Sequence, residues 1–262
     1  MLFRSPYLGG IFYWTGFDYR GEPNPLKYPA TGSQYGIFDY CGFPKDEAFY
    51  LKSWWTEKPV LHLFPHWNLQ GHEGKNVDVW AYSNCDEIEL FVNGKSMGCK
   101  QMIKNGFLSW NVVYHPGILK AIGYKNGKKQ LIEKIETTGE PFRIALTADR
   151  NRIKSDNRDV SVVRVELWDK KGRIVPTACN ELELSIEGAV RFLGVGNGDP
   201  AYRVAERPLN SGVRTFKMNA FNGLAQILLQ STGEAGAAKL IIKSHGLQSA
   251  IYELELENKV VP

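Results

Sequence analysis

No apolar run in this sequence approaches about 20 residues, so no segment reads as a helix crossing a bilayer. The opening MLFRSPYLGG has one arginine and no sustained apolar stretch, which is not the pattern of a secretory signal. Cysteine is scarce. Cys41, Cys85, Cys99 and Cys179 form no Cys-x-x-Cys pair and match neither a zinc pattern nor a disulfide-rich scaffold. They read as small buried hydrophobes, with a Cys85–Cys99 bridge across a hairpin left open. A P-loop, a Gly-x-Ser-x-Gly elbow and a Cys/His pair in nucleophile context are all missing. An excess of one charge is missing too: the formal net charge is +4, and lysines alternate with glutamates along most of the chain. The small basic cluster Lys125, Lys128 and Lys129 sits in a turn and reads as a solvated loop, not a nucleic-acid stripe. The expectations are no nucleic-acid partner, no membrane partner and no cofactor.

What is present is globular in character, with 43% hydrophobic and 23% charged residues in 262 positions. Three blocks stand out. Residues 1–57 are rich in rings, glycine and proline. Within them YLGGIFYWTGF reads as one buried strand, RGEPNPLKYPATGSQYG as an irregular loop, and PKDEAFYLKSWW as a helix. Pro44 suits the first helical position, Asp46 and Glu47 suit the positive end of the helix dipole, and Ala48, Leu51 and Trp55 share one face.

Residues 58–138 change to alternation, in VDVWAY and EIELFV, with hairpin signals at Asn93-Gly94 and Asn126-Gly127. Six or seven short strands in about 80 residues suit an antiparallel sandwich. Residues 139–262 alternate again in VVRVELW, ELELSI, QILLQ and YELELE, and read as a second sandwich. The fold class is therefore mainly β, two immunoglobulin-like sandwiches preceded by a strand-loop-helix segment.

The segment FYWTGFDYRGEPNP crowds five rings around Asp18 and then turns through Gly21, Glu22 and Pro23. A sugar offers a C–H face on which Trp14 can stack, and hydroxyl edges for Asp18, Tyr19 and Glu22. The same residues also suit an aromatic core strand with a structural aspartate. His62, His66 and His72 fall within eleven positions, but Pro65 forbids the helix that a His-x-x-x-His metal site uses. Residues four apart on an extended chain lie about 13 Å apart, so no metal site is expected. His66-Trp67-Asn68 reads as packing between domains. GVGNGDP leads into no helical pattern and reads as a turn.

The runs WTGFDYRGEP, SQYGIFDYCGFPKD, KPVLHLFPHWNLQGHEG and SNCDEIELFVNGKSMG closely resemble the C-terminal part of bacterial β-galactosidases of glycoside hydrolase family 2. The resemblance continues through LKAIGYKNGK, GVGNGDP and AFNGLAQILLQSTGEAG, and so covers nearly the whole chain. It implies that residues 1–57 are the last strand and helix of a catalytic (β/α)₈ barrel, followed by two accessory immunoglobulin-like domains. Trp14 then matches the tryptophan that stacks beneath the galactose ring, and Asp18, Tyr19 and Glu22 match the loop bordering the pocket.

Catalytic residues are expected to be none. The family's retaining mechanism uses two glutamates with carboxyls about 5–5.5 Å apart. The Asn-Glu context of its acid/base is missing upstream of WTGFDY, since the lone Asn180-Glu181 lies deep in the third block. The implied partner is a β-galactoside, met through a barrel outside these residues. The resemblance also implies export to the periplasm or beyond, with any signal upstream of Met1.

A different reading stays open, in which the sandwiches are a non-catalytic module pair that binds carbohydrate or protein through Trp67, Trp110 or Trp168. A third is purely structural, with the sandwiches bracing a barrel or forming homo-oligomers.

Overall fold

The computed structural model describes residues 9–10, 12–23, 27–29, 31–202 and 212–258. Two short strands, β1 (Tyr19–Arg20) and β2 (Gly32–Ser33), pair antiparallel and precede the helix α1 (Asp46–Trp55). The first sandwich follows. Its strands are β3 (Leu61–Phe64), β4 (Asn76–Ser83), β5 (Glu87–Val92), β6 (Lys95–Gln101), β7 (Leu108–Val113), β8 (Ile118–Lys125) and β9 (Lys128–Glu136). They form one sheet in the order β3-β4-β7 and another in the order β6-β5-β8-β9.

The second sandwich has β10 (Arg143–Ala148), β11 (Arg152–Lys154), β12 (Val160–Trp168), β13 (Glu181–Glu187), β14 (Val190–Gly196), β15 (Thr215–Asn219), β16 (Leu224–Ser231), β17 (Gly236–Lys243) and β18 (Ala250–Glu257). Its sheets run β10-β12-β16-β14 and β11-β18-β17-β13-β15, with β11 and β18 parallel.

The period-two alternation of the sequence becomes the two-faced burial of these strands. Val163, Val165 and Leu167 of β12 lie beside Ala225, Ile227 and Leu229 of β16 in one sheet and pack with the buried leucines of β13, β17 and β18 in one core. Ile88 and Leu90 of β5 meet Val79 and Ala81 of β4 in the other. Asn93-Gly94 and Asn126-Gly127 close the β5–β6 and β8–β9 hairpins, all four residues with positive φ as a tight type I′ turn demands.

Cys85 and Cys99 are free thiols, so the bridge left open by the sequence does not form. Trp67 is fully buried, meets the Tyr114 ring edge-on at 4.9 Å, and donates from Nε1 to the His115 carbonyl at 3.1 Å. Trp110 is 4% exposed. Neither offers a face to a glycan. Trp168 is half-buried, lies under the Arg143 guanidinium and donates to Glu166.

Three expectations for the first block change. Phe12 to Phe17 make no strand; among the described residues they have one bridge, Phe17 to Phe38, and accept the Ile37 and Phe38 amides at Thr15 and Gly16, while Tyr7, Leu8 and Ile11 lie outside the described residues. A parallel barrel strand draws its ladder from neighbours on both sides, and the described residues hold no such neighbours. The helix starts one residue past Lys45, so Pro44 precedes it instead of opening it.

Its inner face also differs. Trp55 is 67% exposed, while Ser53 is buried and Phe49 and Tyr50 make the contacts. The reason lies in β3 and β4, which are apolar on both faces. Leu61, Leu63, Val79 and Ala81 point into the sandwich, leaving His62, Phe64, Trp80 and Tyr82 outside. Phe49 stacks on His62 at 3.9 Å, Tyr50 meets Tyr82 at 5.2 Å, and Asp46 pairs with His62 at 2.7 Å. The helix covers the row of rings that the sheet leaves outside.

The two sandwiches are joined by an ion cluster. Arg173 bonds Glu136 at 2.6 Å and Asp169 at 2.5 Å, and Asp169 accepts the Gly139 amide at 3.1 Å. Burial works against ionisation of Asp169, but the Arg173 guanidinium and the amides of Arg173, Gly139 and Lys171 overcome it and hold the carboxyl well below its usual range. A depressed pKa contributes stability above the unfolded value, about 4, that is lost as pH falls through the folded value.

Asp169→Asn should therefore lower the urea midpoint at pH 7 and flatten its fall below about pH 4 relative to the parent chain. Trp67→Ala should cost about 3–5 kcal/mol in the same titration, since it empties a fully enclosed site.

Candidate functional site: an aromatic cavity lined by carboxylates

The sequence between Phe12 and Lys45 has little ladder of its own, so its amides need other acceptors. Asp18 and Asp39 supply them. Asp18 is 7% exposed; its Oδ1 accepts the Gly36 amide at 2.9 Å and the Lys45 ammonium at 2.7 Å. Asp39 Oδ1 accepts the amides of Cys41 at 2.8 Å and Phe43 at 2.9 Å. Burial pushes the Asp39 carboxyl up, and those two amides only partly offset it.

The chain then reaches across to the second sandwich. Gly198, at φ +81°, lies so close to Asp39 that a Cβ there would sit 2.0 Å from Oδ2. Arg20 lies 4.1 Å over the Tyr40 ring and donates to the carbonyls of Pro200 and Tyr202. GVGNGDP, read from sequence as a turn, is strand β14 as far as Gly196, and the residues after it are the seat of the first block on the second sandwich.

These contacts border an open cavity of about 880 Å³. Trp14 and Tyr13 line one part; Asp18, Asp39, Asp46 and Glu47 supply four carboxylates, and Lys45 one ammonium. The Tyr13 hydroxyl is pushed up by burial and by the nearby charges of Glu47 and Asp18. Phe221 and Asn222 of the second sandwich line the cavity as well.

The four residues singled out by sequence divide into two groups. Trp14 Nε1 donates to the Tyr19 hydroxyl at 3.2 Å, which donates to Glu22 at 3.2 Å, a relay on an exposed edge. Trp14 is 74% exposed, leaving ring surface free. Asp18 turns the other way, into the loop, toward Lys45. Trp14 and Asp18 line the cavity, and Tyr19 and Glu22 do not.

Sequence reasoning missed Lys45, Asp39, Phe221 and Asn222. The acidic pair Asp46-Glu47 carried a signal, read there only as helix-dipole chemistry. A second cavity of about 270 Å³ lies beside Arg20 and Cys41, whose thiol is pushed up to about 12 by burial and the Asp39 charge and so supplies no nucleophile. The three histidines make separate contacts: His62 with Asp46, His66 with the Asn68 amide, and His72 with the Gln70 carbonyl.

Two sandwiches, antiparallel except where β11 meets β18, carry a ring-and-carboxylate segment on their flank. Residues 144–253 match the glycoside hydrolase family 2 C-terminal domain 5, and residues 74–131 match a domain of unknown function, DUF4982. The chain belongs to glycoside hydrolase family 2. It is 41% identical over 255 residues to the β-galactosidase BoGH2A of Bacteroides ovatus, across 97% of this chain and 29% of that protein. A putative β-glucuronidase of Formosa agariphila is 34% identical across 75% of this chain and 20% of that protein. Among solved structures, a β-glycosidase from Bacteroides vulgatus superposes with a TM-score of 0.83 at 34% identity, covering 92% of this chain and 30% of that one. The chain thus spans less than a third of the length of these relatives.

Lys45→Met should strip the Asp18 carboxylate of its counter-ion and cost about 2–3 kcal/mol locally. Hydrogen exchange at the Gly36 amide reads this directly: protection should fall there, while the β12 and β16 amides keep theirs.

Proposed function

We propose that this chain forms the C-terminal portion of a retaining β-galactosidase of family 2, acting on neutral β-galactosides. In this reading it supplies one wall of the sugar pocket and two accessory sandwiches. The acid/base and the nucleophile come from a barrel outside these residues. Trp14 stacks on the sugar's C–H face. Tyr19 and Glu22 orient that ring from its far edge, and Asp18 fixes the loop beneath it.

One observation carries the choice of sugar. Of the two relatives above, one is a β-galactosidase and the other a putative β-glucuronidase. The cavity has four carboxylates against one ammonium, and that ammonium is spent on Asp18. A uronate entering it meets like charge with no free cation among the described lining residues, which costs affinity and rate. A neutral galactoside meets hydroxyl acceptors instead. Burial of Trp67 and Trp110 weighs against the reading in which those tryptophans bind glycans.

Turnover of chromogenic glycosides tests the proposal. The complete protein carrying this chain should hydrolyse the β-galactoside with a kcat/KM at least about tenfold above that for the β-glucuronide. The 262-residue chain alone should hydrolyse neither. A preference for the glucuronide, or turnover by the chain alone, contradicts it.

A further inference from the structure

Five asparagines in this chain are followed by glycine: Asn93, Asn105, Asn126, Asn197 and Asn222. The pair forms turns, and it is also chemically labile. A glycine nitrogen, unshielded by any Cβ, attacks the preceding side-chain amide carbon, closes a five-membered succinimide and expels ammonia. Two groups must be free for this. The asparagine side chain has to swing onto the backbone, and the glycine amide has to lose its proton. Each hydrogen bond that must break first slows the step about two- to tenfold.

The fold restrains four of the five. Asn93 Nδ2 donates to the Pro116 carbonyl at 3.2 Å, and its Oδ1 accepts the Ile118 amide at 2.7 Å. Asn197 is buried, donates to the Asn219 carbonyl at 2.9 Å and accepts the Asp199 amide at 3.0 Å. Asn105 and Asn222 are exposed but held at the glycine instead. The Gly106 amide donates to the Ile103 carbonyl and the Gly223 amide to the Ala178 carbonyl, each at 2.8 Å.

Asn126 differs. Residues 125–130 are all exposed. Among the described residues neither the Asn126 side chain nor the Gly127 amide has a hydrogen-bond partner. Lys125 and Lys128 flank the pair and Lys129 follows, and their ammonium charges favour the ionised nitrogen that attacks. One restraint remains, on the main chain of the turn. Asp86 Oδ2 accepts the Asn126 amide at 2.7 Å, and Asp86 Oδ1 pairs with Lys125 at 2.9 Å.

We propose that Asn126 is the first of the five to deamidate, and that Asp86 sets its pace. The Gly127 nitrogen gives its proton to solvent and bonds to Asn126 Cγ. The Cγ–Nδ2 bond breaks, and the amide nitrogen takes a proton from water and leaves as ammonia. Water then opens the ring. Attack at one carbonyl gives aspartate with the main chain unchanged. Attack at the other gives isoaspartate, whose main chain runs through Cβ and is one carbon longer. Either product sets a new carboxylate beside Asp86, and the longer chain no longer fits a two-residue turn between Lys125 and Lys128. The damage falls on the β8–β9 hairpin.

The complete protein, held folded in mildly alkaline buffer and in parallel in urea, is mapped over time by peptide mass spectrometry. Asn93 and Asn126 share the tripeptide Asn-Gly-Lys, so each controls for local sequence in the other. In the folded protein Asn126 should convert at least about fivefold faster than any of the other four; in urea it should fall within about twofold of Asn93. Asp86→Ala should raise the Asn126 rate about threefold and leave Asn93 unchanged. Another of the five converting as fast as Asn126 in the folded protein, a lead over Asn93 that persists undiminished in urea, or an unchanged Asn126 rate in Asp86→Ala overturns the inference.

Discussion

An irregular backbone must find acceptors for its amides, and between Phe12 and Lys45 two aspartates provide them. Asp18 holds Gly36 and Lys45 together; Asp39 gathers the amides of Cys41 and Phe43. Beside these carboxylates the loop is shaped by the two-residue pairing of β1 with β2 and by scattered backbone bonds around Phe38, such as those from the Asp18 amide to the Phe38 carbonyl and from the Phe38 amide to the Gly16 carbonyl. The position of Trp14 against the cavity, and the placement of Asp46 and Glu47 at the start of α1, follow from that loop. Asp39 carries a further load, since its other oxygen abuts Gly198 and so ties the loop to the second sandwich.

The first block is therefore attached twice, by different physics. On one side α1 lays Phe49 and Tyr50 on the outward rings of β3 and β4, an apolar contact reinforced by Asp46 and His62. On the other, Arg20 and Asp39 dock on the loop after β14 through carbonyls, a ring and close backbone approach. The Arg173–Asp169–Glu136 cluster links the two sandwiches to each other. Three polar or aromatic joints thus set where the cavity's walls stand, while the two aliphatic cores supply the bulk of the stability.

The sandwich strands were legible in the sequence because burial on one face imposes a period of two, and Val163, Val165 and Leu167 display it without interruption. The two Asn-Gly turns were legible because few other dipeptides accept two successive positive φ values. The inner face of α1 was not legible: it is chosen by rings on β3 and β4, which the helical period cannot register. The aromatic run at Phe12–Phe17 looked like a strand because its composition suits one, yet composition supplies no ladder partner. In the candidate site, Trp14 and Asp18 stood out by their residue types. Phe221 and Asn222 did not, because nothing local to them marks their nearness to Trp14.

The central claim is that this loop and its two seats shape a cavity for neutral sugar. A crystal structure of the complete protein with a bound β-galactosyl disaccharide tests it most directly. The account predicts one ring on the face of Trp14, with the Asp18–Lys45 pair intact beneath it. A disaccharide bound elsewhere, with Trp14 uncovered, or a ligand carboxylate paired with Lys45 in place of Asp18, would contradict it.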